Sequence, residues 1–332
     1  MLKHHLFWPL AVLAALLLFN LIYSPDFFEI QVRDGHLYGS LIDILNYGAP
    51  LILVSLGMTL VIATKGIDLS VGSVMAIAGT MACLIISKGD NQSLVSLVLI
   101  AVGVSLILAL VLGLWNGILV AKIGIQPIIA TLILMVAGQI ITISSTSYKY
   151  IGSGALLMLP FPIFIAIGVL VIASMLTRKT ALGLFIESVG GNPTASRLAG
   201  IRASAVMLAV YMFCGLCAGI AGLILTSNIS GADGNNAGLW YELDAILAVV
   251  IGGTSLNGGR FYLTGTLIGA LIIQTLTTTI YMVGVPPETI LVVKAFVVMI
   301  VCLIQSEAFR KRVSDLWISR TKKAREEVQQ HV

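Results

Sequence analysis

Long apolar runs separated by short polar stretches fill almost the whole chain. An apolar helix needs about 20 residues to cross a hydrocarbon core roughly 30 Å thick, at about 1.5 Å per residue. The runs that meet this are 6–24, 42–63, 67–87, 94–120, 125–144, 157–177, 204–226, 242–258, 261–281 and 289–306. The pattern predicts an all-α, polytopic membrane protein of about ten transmembrane helices, the eighth short and rich in glycine. The polar joints include "SKGDNQS" and the much longer "RKTALGLFIESVGGNPTASRLAGIRAS", 178–204.

Basic residues test the count of ten. With the N-terminus inside, the inner segments hold Lys3, Lys65, Lys122, Arg178, Lys179, Arg197, Arg202, Arg260, Arg310, Lys311, Arg312, Arg320, Lys322, Lys323 and Arg325. The outer segments hold Arg33, Lys88 and Lys149, while Lys294 lies near the start of the last run. Fifteen against three is a strong positive-inside asymmetry. Adding or dropping one span would scramble it, so both termini are expected in the cytoplasm. The stretch "ATKGIDLSVGSV" (63–74) then becomes a tight inner turn between the second and third spans, with Asp68 either pairing with Lys65 or capping the third helix. "GIDLSVG" (66–72) and "GTSLNGG" (253–259) share Gly-x-x-Leu-x-x-Gly. Both a pseudo-symmetric architecture and chance recurrence of glycine turns fit that repeat.

Composition agrees with a membrane protein. The chain has 332 residues, 58% of them hydrophobic and 10% charged, with a mean hydropathy of +1.04. A soluble domain could not cover its surface with so few charges. The net charge of +4 reflects sorting by membrane side and implies no nucleic-acid partner. The N-terminal "MLKHHLFWPLAVLAALLLFNLIYS" has a basic start but no small-x-small cleavage site, and it is expected to remain as the first helix. Cys83, Cys214, Cys217 and Cys302 all lie in apolar runs. "CGLC" (214–217) has redox or zinc spacing, yet without partner ligands it reads as helix packing.

Within 178–204, "NPTASRLAG" reads as a short capped helix. Asn192 is a good N-cap, Pro193 suits the first helical position, and Gly200 suits the stop. "ESVGGNPTASRLAGI" resembles the coupling loop of permeases from bacterial ABC importers of the ribose and galactose class. Gly190, Asn192, Ala195, Ala199, Gly200 and Ile201 match that pattern, while Ser188 and Ser196 replace its usual alanines. "GMTLVIATKGIDLSVGSVMAIAG" (57–79) and "ELDAILAVVIGGTSLNGGR" (242–260) resemble the family's other hallmarks in the same order, with Lys65 where glycine is common. "DGHLYGSLIDILN" (34–46) and "GADGNNAGLWYELDAI" (231–246) resemble the galactofuranose-importer branch.

The resemblance implies a permease domain over 1–306 and a basic cytoplasmic tail over 307–332. It implies a bacterial inner-membrane location and a monosaccharide delivered by a periplasmic sugar-binding protein. It also implies a second permease subunit, related or identical, and an ATP-binding subunit that holds ATP and magnesium. Glu187, Gly190, Asn192, Pro193, Ala195, Leu198, Ala199 and Gly200 would couple to that ATPase. This chain lacks the G-x-x-x-x-G-K-[ST] phosphate loop, so it is expected to carry no cofactor, no metal and no catalytic residue of its own.

Polar residues inside the apolar runs are candidates for the translocation pathway: Asn46, Asn116, Gln126, Gln139 and Gln274. Their amides suit sugar hydroxyls, and equally suit hydrogen bonds between helices. Glu242 and Asp244 are expected near the outer end of the eighth run, where they can snorkel to water. Tyr148, Trp240 and Tyr241 suit either the binding protein or an interfacial aromatic belt. In the tail, Val313, Leu316 and Trp317 could share one helical face, lying on the inner leaflet or touching the ATPase. The main rival is an ion-driven secondary transporter, which would normally place a titratable residue deep in a span.

Overall fold

The computed structural model describes residues 6–33, 36–89, 94–127, 129, 140–234 and 236–305. The helices are α1 (Phe7–Tyr23), α2 (Ser40–Ala63), α3 (Val71–Ser87), α4 (Val95–Ile118), α5 (Thr146–Ser153), α6 (Phe161–Arg178), α7 (Leu182–Gly191), α8 (Pro193–Leu198), α9 (Ala203–Asn228), α10 (Tyr241–Ile251), α11 (Leu263–Met282) and α12 (Pro287–Gln305). A wide π turn, Leu119–Ile123, ends α4. Among the described residues, five helical segments are both long and apolar enough to cross a membrane: Ser40–Ala63, Val95–Ile123, Phe161–Arg178, Ala203–Asn228 and Leu263–Met282. Phe7–Tyr23 and Val71–Ser87 are apolar but shorter. The contacts divide the chain into Met1–Thr279 and Ile280–Val332. The second unit contains the last turn of α11 and then α12; the tail from 306 lies outside the described residues.

Helix α9 is the axis of the first unit and packs on α2, α3 and α4. Lipid tails are as apolar as leucine, so close packing rather than hydrophobicity must hold such helices together. Small residues let the backbones approach. A Cβ on Gly57 of α2 would lie 2.8 Å from Cys214 Cα, and one on Gly222 of α9 would lie 2.2 Å from the Met75 carbonyl oxygen of α3. Cys214 and Cys217 are fully buried free thiols on α9, so "CGLC" serves the helix packing that its apolar surroundings suggest. Toward the C-terminal end of α9, Tyr148 of α5 is buried with Cys83, Ile86, Val98 and Leu223. Its hydroxyl shares a 2.7 Å hydrogen bond with Thr226 Oγ1, and Ser227 Oγ donates to the Tyr148 carbonyl at 2.6 Å.

Among the described residues, three small antiparallel ladders accompany the helices: β1 (Gln31–Arg33) with β2 (His36–Tyr38), β3 (Ile140–Thr142) with β6 (Gly231–Asp233), and β4 (Ala155–Leu156) with β5 (Leu159–Pro160). The second of these departs from the apolar-run reading. The fifth run, 125–144, ends not as helix but as a strand, with Ile140 opposite Asp233 and Thr142 opposite Gly231. "IITI" (140–143) is a β-branched cluster, and a neighbouring extended segment converts that preference into a ladder. Most of the remainder of that run lies outside the described residues.

The eighth run also differs from the span it predicts. Only 11 residues, Tyr241–Ile251, are helical, about 16 Å at the usual rise. The chain then turns through Gly253, Gly258 and Gly259, all at positive φ, which glycine tolerates and which ends the helix. The run 67–87 likewise starts its helix late, at Val71, after the turn Thr64–Ser70.

This packing makes a direct prediction. Gly222→Val should push α3 off α9 and lower the melting temperature of the detergent-solubilised chain, at a cost of about 1–3 kcal/mol or more. Gly103→Val, at a site with nothing within 4 Å of a new Cβ, should leave it unchanged. Equal behaviour of the two variants in differential scanning fluorimetry would contradict the close-packed seam.

Candidate functional site

The segment between α6 and α9 is built from its caps outward. Asn192, in extended conformation, accepts hydrogen bonds on Oδ1 from the Thr194 and Ala195 amides at 3.1 and 3.0 Å. Pro193 takes the first position of α8, where its missing N–H costs nothing. Ser196 is buried and returns a bond to the Asn192 carbonyl at 2.9 Å. Gly200 reverses the chain at φ +85°, and the Ile201 amide closes onto the Ser196 carbonyl at 2.9 Å. This one-and-a-half-turn helix is therefore fixed by its own hydrogen bonds. It presents Ala195, Leu198 and Ala199 outward, and Leu198 is 88% exposed. Leu184 and Phe185 of α7 are also exposed, whereas Glu187 is half-buried.

Gly190 anchors this segment to the bundle. A Cβ there would lie 1.7 Å from the Ala63 carbonyl oxygen and 2.6 Å from the Gly259 amide nitrogen. That same Ala63 carbonyl accepts the Gly259 amide at 2.9 Å. Lys65, exposed and held at φ 64°, donates from Nζ to the Gly191 carbonyl at 3.1 Å. A Cβ on Gly258 would press on the Lys65 side chain at 2.4 Å. The two glycine turns that share a pattern, and the long interhelical segment, thus meet at one point. Ala63, Lys65, Gly258 and Gly259 belong to this site; the repeated Gly-x-x-Leu-x-x-Gly and the stretches 57–79 and 242–260 marked their neighbourhood in the sequence.

Behind the turn lies a buried polar chain. Asp68 is 1% exposed and accepts on Oδ1 from the Ser70 amide at 3.0 Å and the Ser70 hydroxyl at 2.6 Å. Asn116 of α4 donates to Ser70 Oγ at 2.6 Å, and Cys214 of α9 lies beside the Asp68 carboxylate. Asp68 therefore tethers the start of α3, and Lys65 bonds to a carbonyl of the long segment instead of to Asp68. Asp68 faces Cys214, which lies near the middle of the 26-residue α9. Asn116 Oδ1 and Tyr211 Oη are buried here without a hydrogen-bond partner.

Among the described residues, the amides expected along a pathway lie on several elements. Asn116 ties α4 to the start of α3, and Gln126 is exposed beyond the π turn. Asn46 is half-buried on α2 with Oδ1 unpartnered, and Gln274 of α11 packs its Cγ against Gly48 of α2. Gln139 falls outside the described residues. Glu242 lies in the first turn of α10, half-buried, with its neighbours Trp240 and Leu243 exposed. The site of a Cβ on Gly72, at the start of α3, is 2.6 Å from Glu242 Oε2 and 2.4 Å from the Gly238 carbonyl oxygen. The first turn of α10 is thus set against the start of α3. Trp240, at φ 69°, and Gly238, at φ 84°, turn the chain into it.

A glycine-seamed bundle of apolar helices with a rigidly capped loop helix defines a multi-pass membrane permease. Residues 40–303 match the model of a family described as the branched-chain amino acid transport system / permease component, and the chain belongs to that family. The chain is 50% identical over 322 residues to the galactofuranose transporter permease protein of Escherichia coli K12, covering 92% of this chain and 93% of that protein. It is 38% identical to the fructose import permease protein of Bifidobacterium longum, over 98% and 94% of the two chains. The ribose import permease protein of E. coli K12 is 37% identical, over 86% and 88%. No solved structure matches.

Gly190→Val should separate the long segment from Ala63 and raise trypsin sensitivity at Arg197 and Arg202, which are exposed. Leu198→Asp should leave both proteolysis and melting unchanged, because that side chain touches little of this chain. Equal protection of the Gly190→Val variant would show that the three-way contact is dispensable.

Proposed function

We propose that this chain is the membrane-spanning subunit of an ATP-driven importer of a monosaccharide, and that the sugar is galactofuranose. The observation that carries this reading is 50% identity over nearly the full length of both chains to a galactofuranose transporter permease. The fructose and ribose import permeases, at lower identity, support the monosaccharide class. In this reading, residues 1–306 form the permease domain with about ten spans and 307–332 form a basic tail. Both termini face the cytoplasm of a bacterial inner membrane. A periplasmic binding protein delivers the sugar to this chain and a second permease subunit, and ATP and magnesium are held by partner ATPase subunits.

The loop 178–204 is the coupling element. Glu187, Gly190, Asn192, Pro193, Ala195, Leu198, Ala199 and Gly200 shape or present the helix that the ATPase grips. A transmitted rigid-body motion needs a stiff contact, and the Asn192 cap supports that role. Ala63, Lys65 and Gly259 provide the joint through which α8 moves the spans. Asn46, Asn116, Gln126, Gln139 and Gln274 are retained as pathway candidates. Asn116 also ties α4 to α3 through its Nδ2, while its Oδ1 is buried without a partner.

An ion-driven transporter is the second reading, and buried Asp68 is the observation in its favour. The two are separated in proteoliposomes containing this chain, the ATPase and second permease encoded beside it, and the binding protein. Galactofuranose-loaded binding protein should stimulate ATP hydrolysis severalfold, more than ribose- or galactopyranose-loaded forms, and only when the permease is present. Uptake by this chain alone under an imposed ion gradient would establish the second reading instead. Leu198→Asp and Gly200→Pro should abolish uptake while the permease still inserts. Thr194→Cys should react with an impermeant thiol reagent only in inside-out vesicles; labelling of intact spheroplasts would invert the topology.

A further inference from the structure

A cavity of about 500 Å³ opens beside the coupling segment, where the end of α8, the start of α9 and the π turn after α4 meet. Its lining includes Lys122, Arg197, Gly200, Arg202, Ser204 and Leu208. Three cations therefore surround one opening, and among the described residues no carboxylate is paired with any of them. The backbones carrying them are tied together. Ser204 Oγ donates to the Ala121 carbonyl at 3.2 Å, which joins the start of α9 to the π turn beside Lys122. The Gly200 amide donates to the Arg197 carbonyl at 3.0 Å, and the Val206 amide to the Arg202 carbonyl at 3.2 Å. Three like charges gathered on fixed supports without counter-charge call for an anion.

The outer face of α4 indicates where that anion comes from. Val104, Ile107, Val111 and Trp115 are exposed at three- and four-residue spacing, an apolar helical stripe. Continued along the helix, the stripe reaches Lys122, exposed at the mouth of the cavity. Apolar side chains, then a tryptophan, then a lysine is the order a helix shows from acyl chains to headgroups. Leu208 adds an apolar wall beneath the charges. Arg197 and Arg202 can each grip phosphate oxygens through two N–H groups.

We propose that this cavity binds the phosphate of an anionic phospholipid from the inner leaflet, with the acyl chains along α4. It rests on the cytoplasmic placement of loop 178–204 argued above. Arg197 lies on α8 itself, so an occupied site would bridge the coupling helix to the spans through the lipid. Basic pockets between membrane helices on the cytoplasmic side are suited to such headgroups.

The test uses the full-length chain in detergent, without sugar or ATPase, so its outcome is independent of substrate identity and of coupling. Binding of phosphatidylglycerol, phosphatidylcholine and inorganic phosphate is measured by native mass spectrometry. Phosphatidylglycerol should bind most tightly, and Lys122→Gln/Arg197→Gln/Arg202→Gln should weaken it by about tenfold or more. Arg178→Gln/Lys179→Gln, removing two charges elsewhere on the same loop, should not. If the triple variant does not fold, Arg202→Gln alone should still reduce binding and Arg202→Lys should restore part of it. Equal binding of phosphatidylcholine, or equal binding by the triple variant, overturns the site. Inorganic phosphate binding as tightly as phosphatidylglycerol overturns the lipid source.

Discussion

The Ala63 carbonyl is the point on which the arrangement depends. It closes the end of α2, accepts the Gly259 amide, and lies so near Gly190 that no side chain fits between them. Three segments far apart in sequence are held there by backbone groups alone. Backbone contacts carry no rotamer freedom and therefore little slack. A displacement of the loop that carries α8 is felt directly by α2 and by the turn into α11. Lys65, at an unusual positive φ, reinforces the joint with its hydrogen bond to Gly191.

The same economy runs through the bundle. α9 touches α2, α3 and α4 through glycines and buried cysteines, with long side chains such as Met75, Tyr211 and Ile224 buried around them. Such a seam resists volume change, because no space is left for an added side chain. Polar tethers then set the register. The Asp68–Ser70–Asn116 chain fixes the start of α3 against α4, and the hydrogen bonds of Tyr148 fix α5 against α9.

Much of this was legible in the sequence, for identifiable reasons. Hydropathy over windows of about 20 residues located α1, α2, α4, α6, α9 and α11 within a few residues, because nothing in those stretches competes with an apolar helix. Asn192, Pro193 and Gly200 gave away α8, since capping is a local matter. The misses have tertiary causes. Residues 140–142 become a strand only because 231–233 lie alongside. The start of α10 is set by the close approach of Gly238 and Glu242 to Gly72 of α3, which no local pattern signals. The meeting of Ala63, Gly190 and Gly259 joins glycine-rich segments from distant parts of the chain, and nothing in their local pattern specifies the partner. The pathway amides were harder still. An amide in an apolar run signals a hydrogen bond, but gives no indication whether a neighbouring helix or a ligand supplies it, as Asn116 illustrates.

The brevity of α10 bears on how the chain is made. An 11-residue apolar helix preceded by turn-rich backbone is a poor substrate for insertion by itself, because its leading peptide groups would meet lipid with no partner. Its start is covered against α3, where Gly238 meets Gly72, and its end beside α11, where Gly252 meets Gly265. Both ends are therefore covered only once α11 stands beside the segment. Lengthening or weakening α11 would thus disturb the biogenesis of α10 before it disturbed anything in the finished protein.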